Sequence, residues 1–259
     1  MRWEGRAETT RARRPSTVQD DPQNSALSRG SSHPLPSGAA SPTMVLEASI
    51  LMPYASRTGT LRNIEAMRRA GWRMLCEPSQ LKRYKNRPPP LPYALDNGAW
   101  GCHQRGVPFD EEGFLRLLDL YGENADWIVV PDIVAGGLAS LDFSLGWVDR
   151  VRAVGSPLLA VQDGMTSHDV RDIVGPSLGL FLGGSTEWKL ETMRSWGRLA
   201  LELGAYFHVA RVNTVRRITL CQDAGAHSFD GTSVTRFAVN LPRLDQARRQ
   251  GYLFSRRSK

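Results

Sequence analysis

The sequence predicts an α/β fold, a (β/α)8 TIM barrel preceded by a disordered N-terminal tail. Three observations lead there. From Met44 onward, short apolar runs alternate with stretches of helical periodicity, the pattern of parallel strands joined by crossover helices. Eight such runs fit into roughly 200 residues, near the lower size of this barrel. Acids and amides fall at the C-terminal ends of the runs, where a barrel builds its sites. A doubly wound open sheet shares the alternation and stands as the competing arrangement.

Residues 1–43 are rich in Arg, Ser, Pro, Gly and Thr and nearly lack aliphatic periodicity, so they bury too little surface to offset chain entropy. Residues 44–259 form the expected barrel domain. LEASILMP (46–53) reads as the first strand, succeeded by a helix with Leu61, Ile64 and Met67 on one face and Gly71 as its stop. WRMLCEP (72–78) is the second strand. A basic, Pro-rich loop, QLKRYKNRPPPLP, leads to the third, YALD (93–96), and DWIVVPD (126–132) is the fourth. The next crossover helix groups Leu141, Leu145 and Val148. PLLAVQD (157–163), GLFLGG (179–184), AYFHVAR (205–211) and AHSFD (226–230) complete the set. Further helices are expected near 166–175, 187–203, 213–224 and 233–249, with Gly204 and Gly225 as stops and Pro242 breaking or kinking the last.

Composition narrows the function classes. Hydrophobic residues make up 41% of the chain and charged residues 23%, which is ordinary for a folded body. The formal net charge of +7 points to an anionic partner, nucleic acid first, although Arg-rich usage alone would give the same sum. Cys76, Cys102 and Cys221 lie far apart, without the spacing of a structural zinc site, and read as reduced thiols. No run of about 18 apolar residues and no secretory leader is present, so the expected location is cytoplasmic and no membrane contact is expected. Neither a phosphate-cradling Gly-rich loop with Lys nor a dinucleotide-binding Gly pattern occurs; no cofactor and no metal are expected.

The strand ends carry the chemistry. The third strand ends in Asp96, the fourth in Asp132, the fifth in Gln162 and Asp163, the sixth in Gly183 and Gly184, the seventh in Arg211 and the eighth in Asp230. Each alone also reads as a turn, Asp96-Asn97-Gly98 and Asp230-Gly231 especially. Together they place carboxylates around one mouth, where they shift each other's proton affinity. One can then stay protonated as an acid while another stays ionised as a nucleophile, the logic of glycosyl transfer. Paired glycines admit a flat ligand, and Trp100 offers a face for stacking. His208 lies within the seventh strand and reads as a core histidine.

In this order, ALDNGAWG, VVPDIV, AVQDG, LFLGGS and GAHSFDGTSVTR resemble the guanine transglycosylase superfamily across roughly residues 46–240. Its members include the tRNA-guanine transglycosylases and the DpdA-type enzymes that insert 7-deazaguanine bases into DNA. The resemblance implies a TIM barrel and a pentosyltransferase reaction in which guanine is exchanged for a 7-deazaguanine base through a covalent aspartyl-sugar intermediate. It implies that Asp230 is the nucleophile and Asp96 the carboxylate for proton transfer at the base. It further implies that Asp132 and Gln162 bind the base edge, that Gly183 and Gly184 line the base pocket, and that Trp100 is the stacking aromatic.

The chain also departs from the pattern. The tRNA enzymes carry a C-terminal Cys/His zinc site with no counterpart in this sequence, and the Asp132 segment lacks the family's usual Cys. These departures move the expected polymer from tRNA to DNA, with tRNA as the alternative and a non-catalytic nucleic-acid-binding partner subunit as a further one. An extruded or unpaired target nucleotide is required by such chemistry. Lys82, Arg83, Lys85 and Arg87 before the third strand and Arg211, Arg216, Arg217 and Arg236 near the mouth are the candidate phosphate contacts, though charged residues of this kind also serve as plain solvated surface. Homodimer and heteromer both stay open.

Overall fold

The computed structural model describes residues 50–56, 60–85 and 87–257. The expected tail, residues 1–43, and the start of the expected first strand lie outside the described residues. Strand β1 (Met52–Ala55) is succeeded by helix α1 (Leu61–Ala70), β2 (Arg73–Cys76), a 3-10 turn (Pro78–Gln80), α2 (Leu81–Tyr84) and β3 (Tyr93–Leu95). Then come α3 (Ala99–Arg105), α4 (Glu111–Tyr121), β4 (Ile128–Val129), α5 (Leu138–Arg152), β5 (Pro157–Val161), α6 (Ser167–Val170) and β6 (Gly179–Leu182). The chain continues with α7 (Thr186–Leu203), β7 (Phe207–Val209), α8 (Val215–Asp223), β8 (Ser228–Gly231), α9 (Ser233–Arg236) and α10 (Asn240–Arg257).

The eight strands pair in sequence order, all parallel, and β8 pairs with β1 to close the barrel. Closure excludes the open doubly wound sheet. In the closing pair Tyr54 stands opposite Asp230 and Ala55 opposite Gly231, so the site acid enters near the last rung of the seam.

Two buried layers hold the closed sheet. Between sheet and helices lie Met67, Trp72, Phe114, Leu117, Phe207 and Phe229, each at most 2% exposed. Inside the barrel lie Tyr54, Leu75, Ala94, Trp127, Val129, Leu158 and Ala160. Strand residues alternate between the two sides. On β7 and β8 the apolar side faces the helices: Phe207, Val209 and Phe229 join the outer layer. That sends His208, Ser228 and Asp230 inward, where they meet.

Several boundaries differ from the sequence pattern. The first strand occupies Met52–Ala55 and not 46–53, which makes Ser56 its exit residue. Helices α3 and α4 fill the interval between β3 and β4 that no periodicity had assigned. In place of a helix over 166–175, only Ser167–Val170 is helical, started by a reciprocal Thr166 and Asp169 cap. Pro242 does not break the last helix. It lies at the third position of α10, in the first turn where its missing N–H costs nothing, and the interruption falls earlier, between α9 and α10. Among the described residues no helix is long and apolar enough to cross a membrane.

One helical glycine is fixed by packing. A Cβ on Gly197, in the middle of α7, would stand 1.9 Å from the Ala224 carbonyl oxygen at the end of α8. In an isolated helix Gly→Ala stabilises by about 1 kcal/mol. Here the backbone clash reverses the sign: Gly197→Ala is expected to lower unfolding free energy by about 1–3 kcal/mol, read from the urea midpoint.

Candidate active site

The C-terminal strand ends surround one cavity of about 600 Å³. Its floor is apolar, with Leu75, Val129, Ala160 and Phe181. Its rim holds five acids, Glu77, Asp96, Asp132, Asp163 and Asp230, and two arginines, Arg211 and Arg236. Acids separated by up to 153 residues in the chain (77 to 230) therefore share a single wall.

Asp230 is 4% exposed and is met by three donors. The Arg211 backbone N–H donates to Oδ1 at 3.1 Å, the Ser56 hydroxyl to Oδ2 at 3.0 Å, and His208 Nε2 lies 3.1 Å from Oδ1. Burial by itself pushes the Asp230 pKa up, but the His208 hydrogen bond, the Arg211 amide and the Ser56 hydroxyl reverse this and hold it below the ordinary carboxylate range. Asp230 is thus an ionised carboxylate inside a protein cavity.

His208 is fully buried, its ring stacked on Phe181 at 5.0 Å and set against Trp127 at 4.5 Å. This burial pushes the imidazole below its usual value, so it is neutral at pH 7. An ionised carboxylate only accepts, which puts the ring proton on Nε2; Nδ1 then accepts from the Ser228 hydroxyl at 2.7 Å.

Asp96 has the opposite surroundings. Among the described residues its one hydrogen-bond donor is the Gly98 amide, at 2.7 Å, and burial, the Glu77 carboxylate and the charges of Asp230 and Asp132 push its pKa up to about 7. Asp132 is raised to about 6 by burial, partly offset by the Asn97 amide that donates to it at 2.7 Å. The same Asn97 amide donates to the Val130 carbonyl and so ties β3 to β4.

The remaining expected site residues divide between cavity and surface. Gln162 is 3% exposed and lines the cavity, its amide N–H donating to the Ile133 carbonyl at 2.9 Å. Gly183 and Gly184 both line the cavity; Gly184 has φ +69, and a Cβ there would fall 2.5 Å from Asp163 Oδ2. Asp163 caps the adjoining helix by accepting from the Ser185 amide and hydroxyl, each at 2.6 Å. Trp100 is 42% exposed at the rim, and the Arg211 guanidinium covers its ring at 4.4 Å while also donating to the Gly184 carbonyl. Arg211 therefore spans the mouth from β3 to β6, and the free stacking face expected of Trp100 is occupied by it. Arg236 lines the cavity, whereas Lys82 is exposed on α2 and does not line it. Arg83 lies outside the residues whose side chains are described.

Sequence reasoning missed Glu77, whose neighbour Pro78 reads as strand continuation but opens the 3-10 turn. It read His208 as core, which it is, without its bond to Asp230. It also missed Lys189 of α7, whose buried ammonium donates to the Ala210 carbonyl at 2.5 Å and is pushed down to about 7 by burial and by Arg211. Among the described residues, no group of His, Cys, Asp and Glu could hold a metal ion. No protein-family model matches this chain, and no curated protein does so either.

Two measurements check these charge states. Unfolded aspartate titrates at about 3.9, whereas folded Asp96 titrates at about 7. The folded state binds that proton more tightly, so the stabilisation is fully present below about pH 4 and is lost as pH rises through 7. Asp96→Asn is expected to melt with wild type at about pH 4 and to exceed it by about 1 kcal/mol or more at about pH 8. Conversely, His208→Phe keeps an aromatic in the cage and removes a donor. It should raise the Asp230 pKa, read by carboxyl 13C shifts against pH; His208→Gln, which restores an N–H, should raise it less.

Proposed function

We propose that this barrel is a glycosyltransferase of the base-exchange kind, a nucleic-acid guanine transglycosylase that replaces guanine by a 7-deazaguanine base through an Asp230-linked sugar. The observation that carries the reading is the contrast between two aspartates in one cavity. Among the described residues Asp230 has three donors and is ionised, whereas Asp96 has one donor, acidic neighbours and a pKa near neutrality. Such a split supplies a nucleophile and a proton donor at the same pH.

The step balances with those two groups. An Asp230 oxygen forms a bond to C1′ of the target nucleotide while the glycosidic C–N bond breaks. The electron pair goes to the departing guanine, and the protonated Asp96 carboxyl supplies the proton that neutralises it. The incoming deazapurine returns a proton to the Asp96 carboxylate as its nitrogen displaces Asp230 from C1′. Asp132, held by Asn97, offers an acceptor for N–H groups on the base edge, and Phe181 and Ala160 supply an apolar floor for a flat ring.

DNA is the polymer in this reading, on the sequence departures from the tRNA-modifying members, and tRNA is run beside it in the test. Incubation with labelled duplex DNA, single-stranded DNA and tRNA plus a deazapurine base should give exchange on DNA. An adduct stable to denaturation should map to Asp230. Asp230→Ala is expected to abolish both exchange and adduct, a loss of at least about 10³-fold, while the melting curve stays cooperative. Activity should fall as pH rises through about 7, where Asp96 loses its proton. Turnover unchanged in Asp230→Ala would remove the mechanism.

A further inference from the structure

In a (β/α)8 barrel each helix begins at the mouth, because the strand before it ends there. Helices α8, α9, α10 and α1 belong to three adjacent units, those of β7, β8 and β1. None of the four has an acid in its first turn. They carry Arg62 at the second position of α1, Arg216 and Arg217 at the second and third of α8, Arg236 at the end of α9 and Arg243 at the fourth of α10. On other units α4, α6 and α7 hold first-turn acids, Glu111 and Glu112, Asp169, and Glu187, while α2, α3 and α5 have none there but carry no first-turn arginine pair like that of α8.

Arginine in a first helical turn, as at Arg62, Arg216, Arg217 and Arg243, opposes the helix dipole at a cost of about 0.3–1 kcal/mol each, and an ion pair would ordinarily offset it. Among the described residues none of these five arginines forms one; the ion pairs of Arg68, Arg69, Arg248 and Arg249 lie elsewhere on α1 and α10. The arc also carries an exposed aromatic: Phe237, directly after the cavity-lining Arg236, is 61% exposed. Asp230 lies near the end of β8, the middle unit of the three.

We propose that this arc is the track for a nucleic-acid strand, its arginines on consecutive phosphates and Phe237 stacked on a base beside the target nucleotide. Three features select a polynucleotide over an acidic protein. The charges are spread along a rim, as a backbone of repeated charges requires. An exposed ring stands among them, and base stacking on such a ring is indifferent to sequence. Arg236 of the arc lines the same cavity as Asp230, the carboxylate that C1′ must reach in the function proposed above. The backbone part stands on the charge pattern alone; the delivery of a base to Asp230 rests on the function proposed above.

The test is fluorescence anisotropy of a labelled single-stranded oligonucleotide over a KCl series. Wild type should show a log–log salt slope of about −0.7 for each phosphate neutralised. Arg216→Glu/Arg217→Glu should bind at least about tenfold more weakly at fixed salt with a shallower slope, and the Gln/Gln pair should give a smaller change of the same sign. Phe237→Ala should weaken binding with the slope unchanged, since stacking releases no counterions. Arg150→Glu/Arg198→Glu, the same charge change outside the arc, should bind as wild type does. Wild-type affinity in the Arg216/Arg217 variant, an equal loss in the control pair, or displacement of the oligonucleotide by poly-glutamate at equal charge would each overturn the track. Arc-dependent binding without base exchange on any polymer removes the transglycosylase reading and leaves the track standing. Exchange by a protein whose binding ignores the arc does the reverse.

Discussion

The site depends on keeping one charge, the Asp230 carboxylate, ionised where water hardly reaches. An isolated carboxylate moved into a protein interior either loses several kcal/mol or takes up a proton. Here the Arg211 amide, the Ser56 hydroxyl and His208 Nε2 replace the lost water, drawn from the β1 and β7 units on either side of β8. The closing seam between β8 and β1 is therefore also a seam of the site, because Ser56 reaches Asp230 only when Tyr54 and Asp230 are in register. A one-residue slip would turn Asp230 into the outer apolar layer and Phe229 into the cavity.

Arg211 shows how tightly backbone and charge are coupled. Its φ of +58 is in the left-handed region, which a non-glycine residue occupies at a cost of about 1 kcal/mol or more. The conformation aims its N–H at Asp230 and at the same time carries its guanidinium across the mouth to Trp100 and Gly184. One strained residue thus serves the buried carboxylate from below and partly covers the cavity from above. Glycine would relieve the strain and lose the bridge.

The barrel and its acids were legible because the information is local and repeated: apolar run, turn, amphipathic segment, with Asp96, Asp132 and Asp230 each closing a run. Strand limits were less legible. Pairing with neighbours decides them, and β1 shifts to Met52–Ala55 because its partner is β8, 176 residues away along the chain (52 to 228). The roles of His208 and Lys189 were hidden for a related reason. A buried histidine in a strand and a lysine in an amphipathic helix are ordinary in one dimension, and only the barrel's curvature brings them beside Asp230 and Ala210. Glu77 carried a usable signal in Pro78: if that proline opens a turn, the second strand ends at Cys76 and Glu77 becomes its exit residue, one more acid at the mouth. The Arg211 guanidinium over the Trp100 ring was not legible either, because only the folded mouth brings those two residues together.

A basic protein with an acidic mouth resolves into two concentric zones. The acids sit on strand ends and inside the cavity, where low dielectric makes each neighbour's charge felt; Asp96 is raised first by burial and then by Glu77, Asp230 and Asp132. Four arginines of the arc, Arg62, Arg216, Arg217 and Arg243, lie outside the cavity lining, on the helices of three adjacent units, and only Arg236 of the five lines the cavity with the acids. Were those four moved inward they would pair with the carboxylates and lower the Asp96 pKa. Were the acids moved outward, a polyanion would be repelled before it docked. In the function proposed above, setting most of the arc arginines outside the cavity would let one mouth attract a phosphate backbone and still keep one carboxyl protonated beside another that is not.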